Sequence, residues 1–223
     1  TSGAALGYFN SPAAVNAIAL GPGGGLALLG LGDGTAVLFD ARRGGVSHVL
    51  EHEGRVRSVA LDAQGRLALS GSQDGSARLW EVESGSELQR WSHQGDVRLV
   101  ALAADGSRAL TVSKYDQAVV WDTATGLRLG ELPALRTRVM RGETITAAAF
   151  SADAKQLLTG TTGRHVQLWD LPAIERRAQW ELPRRAERKR SGASILAVGF
   201  GATDGACLSV SADGFVHRLR VTP

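Results

Sequence analysis

A single cysteine, Cys207, leaves no internal disulfide to draw on, so the fold must be held by its packed interior. No apolar run approaches the roughly 18 residues a membrane-spanning helix needs. The longest, residues 26–32, stops at Asp33, and the chain reads as soluble. No cysteine pair accompanies the five histidines at 48, 52, 93, 165 and 217, so no ligand cluster for a metal is expected. The run Gly23-Gly24-Gly25 lacks a following Lys-Ser/Thr and precedes an extended segment. It reads as a hairpin turn, not a phosphate cradle, and no cofactor is expected. Neither an initiating Met nor a charged-then-apolar leader opens the chain, which reads as a trimmed or processed form. A cytoplasmic site is favoured; a periplasmic or membrane-anchored one follows if a leader was removed.

What the chain does have is glycine, 28 residues against six prolines, and short apolar runs of Val, Leu and Ala. That composition predicts many short strands joined by tight turns. A fixed period organises them. A β-branched residue recurs at Val15, Val56, Val97, Ile145 and Ile195, and a bulky anchor follows 24 residues later at Phe39, Trp80, Trp121, Trp169 and Leu219. Three residues after each start stand Ile18, Val59, Val100, Ala148 and Val198; two further on stand Leu20, Leu61, Leu102, Phe150 and Phe200. Asp-Gly corners at Asp33-Gly34, Asp74-Gly75 and Asp213-Gly214 supply the positive-φ glycine of a hairpin. The starts lie 41, 41, 48 and 50 residues apart, so every insertion falls between units, as stacked equal units require.

The stretches Ala77-Arg78-Leu79-Trp80-Glu81, Val119-Val120-Trp121-Asp122 and Val166-Gln167-Leu168-Trp169-Asp170 resemble the WD-repeat signature. The resemblance implies an all-β, WD-repeat-type β-propeller occupying residues 1–223 as one domain of five four-stranded antiparallel blades. Their repeat cores are 15–39, 56–80, 97–121, 145–169 and 195–219. It also implies a polar network of His, Ser or Thr, Asp and Trp in each blade. The second repeat carries all four at His52, Ser70, Asp74 and Trp80. The third has His93, Thr111 and Trp121 but Tyr115 at the acidic position; the fourth has Thr159 and Trp169 but Arg141 and Gly163 at the His and Asp positions. The first and last lack both His and Trp. Residues 4–9 stand before Val15 as residues 88–91 stand before Val97, and the last repeat ends after its third strand. A ring closed by the N-terminal strand completing the last blade is therefore expected.

His52, Asp74 and Ser70 have the residue types of a hydrolase triad, but the repeat places them inside a blade, where a substrate has no access. Cys207, in a Leu-Ser-Val strand, reads as a small core residue, and Trp91 and Trp180 as outer-strand aromatics packed on the next blade. The inner-strand starts carry only the scattered acids Asp96 and Glu143, so no channel active site and no enzyme is expected.

The formal net charge is +3, yet residues 133–142 carry +3 (Arg136, Arg138, Arg141) and residues 183–192 carry +4 (Arg184, Arg185, Arg188, Lys189, Arg190 against Glu187). The remainder is −4. Both segments join an outer strand to the next inner strand on either side of the fourth repeat, which predicts one cationic surface. The resemblance then implies a scaffold or assembly subunit that docks a protein partner with an acidic face. Nucleic acid or anionic lipid is the alternative, weakened because few aromatics interleave the basic residues.

Overall fold

The computed structural model describes residues 8–114, 118–133, 143–171, 173–183, 194–201 and 206–221. Every repeat folds into its own antiparallel sheet. Blade 1 contains β1 (Val15–Leu20), β2 (Leu26–Leu31), β3 (Thr35–Asp40) and β4 (Gly45–Glu51). Blade 2 contains β5 (Val56–Leu61), β6 (Leu67–Ser72), β7 (Ser76–Glu81) and β8 (Glu87–Ser92). Blade 3 contains β9 (Val97–Leu102), β10 (Arg108–Ser113), β11 (Ala118–Asp122) and β12 (Arg128–Leu132). Blade 4 contains β13 (Ile145–Phe150), β14 (Gln156–Thr161), β15 (His165–Asp170) and β16 (Glu175–Glu181). Blade 5 has three strands, β17 (Ile195–Phe200), β18 (Cys207–Ser211) and β19 (Val216–Leu219).

Two irregularities recur at fixed places. The pairing slips at the start of each inner strand, for example between Val15 and Ala17 and between Ile145 and Ala147. It slips again just before the anchor, at Leu38/Phe39, Leu79/Trp80, Val120/Trp121 and Leu168/Trp169. Each bulge adds right-handed twist at the same point of each sheet, so the blades share one shape and one set of packing faces. At the corners Gly34 and Gly75 have φ of 98° and 83°. In blade 4 Arg164 takes that left-handed place at φ 69°, where its guanidinium donates to the Leu182 carbonyl and to Glu181.

The core lies between sheets. Leu28, Ala36, Leu38 and Leu50 of blade 1 pack on Val56, Val59, Ala68 and Trp80 of blade 2. Leu69, Ala77, Leu79 and Trp91 of blade 2 repeat that packing on Val97, Val100 and Ala109 of blade 3. The interfaces of blades 3 and 4 and of blades 4 and 5 follow the same plan. The inner strands β1, β5, β9, β13 and β17 thus stand side by side in chain order. The ring expected from the sequence is not closed among the described residues. Among these residues blade 5 has no fourth strand, and no extensive contact joins β17 to β1. Of the expected closing strand, residues 4–7 lie outside the described residues; Tyr8 is exposed and Phe9 packs on Phe39 of blade 1. Among the described residues no helix is long and apolar enough to cross a membrane.

Candidate interaction rim and the buried blade network

The network of blade 2 is assembled from strands β6 and β7, the hairpin corner between them and the connection that enters the blade. The His52 ring is fully buried, and its Nδ1 lies 3.1 Å from Asp74 and its Nε2 2.7 Å from the Ser70 hydroxyl. The Trp80 indole N–H donates to that hydroxyl at 2.8 Å. Burial would push the Asp74 carboxyl up, but it accepts from the Ser76 hydroxyl and amide and from the Glu53 amide, and His52 lies beside it. These hold its pKa down to about 2. Burial pushes His52 below the ordinary histidine range, with Asp74 opposing. A neutral imidazole beside an ionised carboxylate fixes one polarity: Trp80 donates to Ser70, Ser70 to His52 Nε2, and His52 Nδ1–H to Asp74.

The His52–Ser70–Asp74 distances match a hydrolytic triad, yet Ser70 is fully buried and its hydroxyl is capped by an indole. No substrate carbonyl can reach it, and the arrangement locks strands instead.

The other blades vary the theme. In blade 3 the Trp121 indole donates to Thr111 at 2.8 Å and His93 stands edge-on to Trp121, but its buried Nε2 has no hydrogen-bond partner among the described residues. Tyr115 lies outside the described residues. In blade 4 Trp169 donates to Thr159 at 3.0 Å. Here a second pair appears that the repeat alignment does not reveal: His165 Nδ1 lies 2.8–2.9 Å from both Glu143 oxygens, and Thr161 donates to Glu143 at 2.9 Å. Blade 2 takes its histidine from the connecting segment and its acid from the hairpin corner; blade 4 takes its acid from the connecting segment and its histidine from β15. A Cβ on Gly163 would fall 2.0 Å from the Glu143 carboxyl, so the glycine at the usual Asp position makes room for the exchange. Blade 1 drops the polar pair altogether, with Leu29 for Ser70 and Phe39 for Trp80, joined by Phe9 in an apolar cluster. Replacing both partners together leaves no stranded donor.

Cys207 is buried between blades 4 and 5, and burial pushes its thiol pKa up, away from reactivity. Trp91 is buried and stacks on Trp121 at 5.1 Å, while Trp180 is half-buried against blade 5.

The connections between blades share one rim. The amides of His52, His93 and Leu182 donate to the carbonyls of Gly34, Gly75 and Arg164, which tie each outgoing segment to the hairpin corner of the blade it leaves. At the same end of the inner strands, Asn16, Arg57 and Arg98 line a cavity of about 450 Å³, with Arg57 3.3 Å from Asp96. The opposite ends form an apolar groove of about 560 Å³ bordered by Leu20, Leu61, Leu102 and Phe150. Arg136, Arg138, Arg141, Arg184, Arg185, Arg188, Lys189 and Arg190 all lie outside the described residues. Among the described residues no group of His, Cys, Asp and Glu is placed to hold a metal ion.

Residues 44–81 and 135–170 match the family model for the WD domain, G-beta repeat. Each match runs from before one inner strand to the bulky anchor and its following acid. Among solved structures, the β-propeller domain of Myceliophteria thermophila Cps50 (Swd1) is similar to the chain with a TM-score of 0.78. The two are 19% identical, and the similarity covers 96% of this chain and 68% of that one. No curated protein matches the chain. With five sheets in one repeated register and the indole-to-hydroxyl bond in three of them, the chain has the fold of a WD-repeat β-propeller.

Proposed function

We propose that this chain is a non-catalytic scaffold that docks an acidic protein partner on the rim carrying residues 133–142 and 183–192. One observation carries the reading: both cationic segments leave an outer strand, β12 or β16, and lead into the next inner strand, β13 or β17, so they bracket blade 4. Rigid sheets hold the ends of both segments, and seven units of net positive charge are concentrated between them. Arg57 and Arg98 add cations at the same end of the inner strands. Arginine outnumbers lysine there, which suits bidentate pairing with carboxylates. The triple variant R185E/R188E/R190E tests it. Capture of the partner by affinity purification falls at least about tenfold, as expected when several rim charges reverse, while the unfolding midpoint stays put. Undiminished capture refutes the proposal. Salt-sensitive binding of the parent chain to RNA, DNA or anionic vesicles, with no protein captured, assigns the surface to the alternative ligands.

A further inference from the structure

The slip at the start of each inner strand leaves one residue out of the ladder. Val56 pairs with Ser72 and Ser58 with Gly71, so Arg57 has no partner across the sheet; the same count singles out Asn16, Arg98, Thr146 and Leu196. An extra residue of this kind is released from the alternation of the strand, and its side chain is re-aimed. Asn16 and Thr146 use that freedom to tie blades together. Each donates to the carbonyl that opens the next inner strand, Asn16 Nδ2 to Val56 at 3.0 Å and Thr146 Oγ1 to Ile195 at 2.6 Å.

In blades 2 and 3 the same position holds an arginine, and among the described residues neither arginine makes that tie. Arg57 donates one N–H to Asp96 at 3.3 Å, with its side chain 40% exposed. Arg98 is also exposed and, among the described residues, forms no hydrogen bond or ion pair. Together with Asn16 the two guanidiniums line one cavity of about 450 Å³. Like charges at one register on neighbouring inner strands repel, and the fold gains no bond from Arg98 in return. The acid at the entry to β13, Glu143, is already engaged by His165 and Thr161. Two guanidiniums against the single carboxylate of Asp96 leave one net positive charge in the cavity. One carboxylate neutralises it, whereas a phosphate dianion would overshoot it beside Asp96.

We infer that Arg57 and Arg98 bind one carboxylate in this cavity, an Asp or Glu side chain of the acidic partner, an assignment that rests on the docking of that partner at the rim. Arg98 offers its whole fork of donors, and Arg57 keeps the N–H groups that Asp96 does not use. An exposed ion pair adds at most about fivefold in affinity. That is too little to hold a free small ion, but it adds to the affinity of a partner whose acids are already held at the rim.

Arginine Nε–H signals in nitrogen–proton correlation spectra of the 223-residue chain, assigned through Arg57→Gln and Arg98→Gln, test this with acetyl-hexaglutamate as the probe at low salt. The peptide shifts both signals. Arg98→Gln weakens its binding about fivefold, and Asp96→Asn, which frees Arg57 and removes the competing charge, tightens it by about the same factor; both variants keep the parent urea midpoint. Signals that stay put at saturation, or an unchanged affinity in either variant, overturn the inference. Glutarate or inorganic phosphate bound as tightly as the peptide assigns the cavity to a free anion and overturns it too. The triple variant R185E/R188E/R190E separates the cavity from the rim. Peptide binding lost in that variant, with Arg57 and Arg98 silent in the parent, refutes the cavity alone, whereas undiminished binding there with both signals shifting refutes the rim alone.

Discussion

Replacing Ser70 by alanine removes one oxygen that serves two buried partners. The Trp80 indole loses its acceptor at 2.8 Å and His52 Nε2 loses its donor at 2.7 Å, in a site where Ser70 is fully buried and no solvent can step in. Each stranded group costs about 1–3 kcal/mol, and because the two relax into the same small void the sum is set at about 3 kcal/mol. In blade 3, Thr111→Val strands only the Trp121 N–H, and Trp121 is partly exposed, so about 1 kcal/mol is expected. Equilibrium urea unfolding followed by far-ultraviolet circular dichroism measures both. With a slope of about 2–3 kcal/mol/M, the Ser70 variant moves the midpoint by about 1–1.5 M and the Thr111 variant by under about 0.5 M. In a Trp80→Phe background the indole N–H is already gone, and Ser70→Ala costs about 1 kcal/mol less than in the parent. Equal losses at the two sites, or full additivity with Trp80→Phe, would show that Ser70 does not bridge two partners and would refute the directional network.

Two further predictions follow from the same geometry. His52 stays neutral in the fold and has its pKa lowered by burial, so its contribution is complete above pH 6.5 and declines as pH falls from there towards its folded pKa. Asp74, with its pKa held at about 2 against an ordinary 3.8, adds a second loss between about pH 4 and pH 2. Urea midpoints measured against pH should fall in both windows, and Asp74→Asn should flatten the acid one; an unchanged acid limb in that variant would count against the assignment. Gly71→Ala forces a methyl against Val97 and Val100 and should cost about 1–3 kcal/mol in urea unfolding. Gly199→Ala meets no atom of the described residues within 4 Å and should cost under about 1 kcal/mol; comparable losses would mean that the blade seats are not tightly packed.

The sequence by itself determined the repeat and its internal layout. Strand identity follows from apolar alternation between Asp-Gly corners, and the 24-residue interval from Val56 to Trp80 spans the first three strands of one blade, so both are readable within a single unit. The four residues of the blade 2 network were legible for the same reason: they hold fixed places in that unit. The polar pair of blade 4 was not, because Glu143 and His165 stand at other places in the unit, the acid in the connecting segment and the histidine on β15, and so exchange the roles that position alone would assign. Only the tertiary structure decided that Gly163 makes room for Glu143, that Trp91 stacks on the next blade's anchor, and that the five sheets, among the described residues, do not close into a ring. Closure depends on the sum of all the angles between neighbouring blades. Each angle is set by how side chains of two different repeats interlock, which no one repeat encodes.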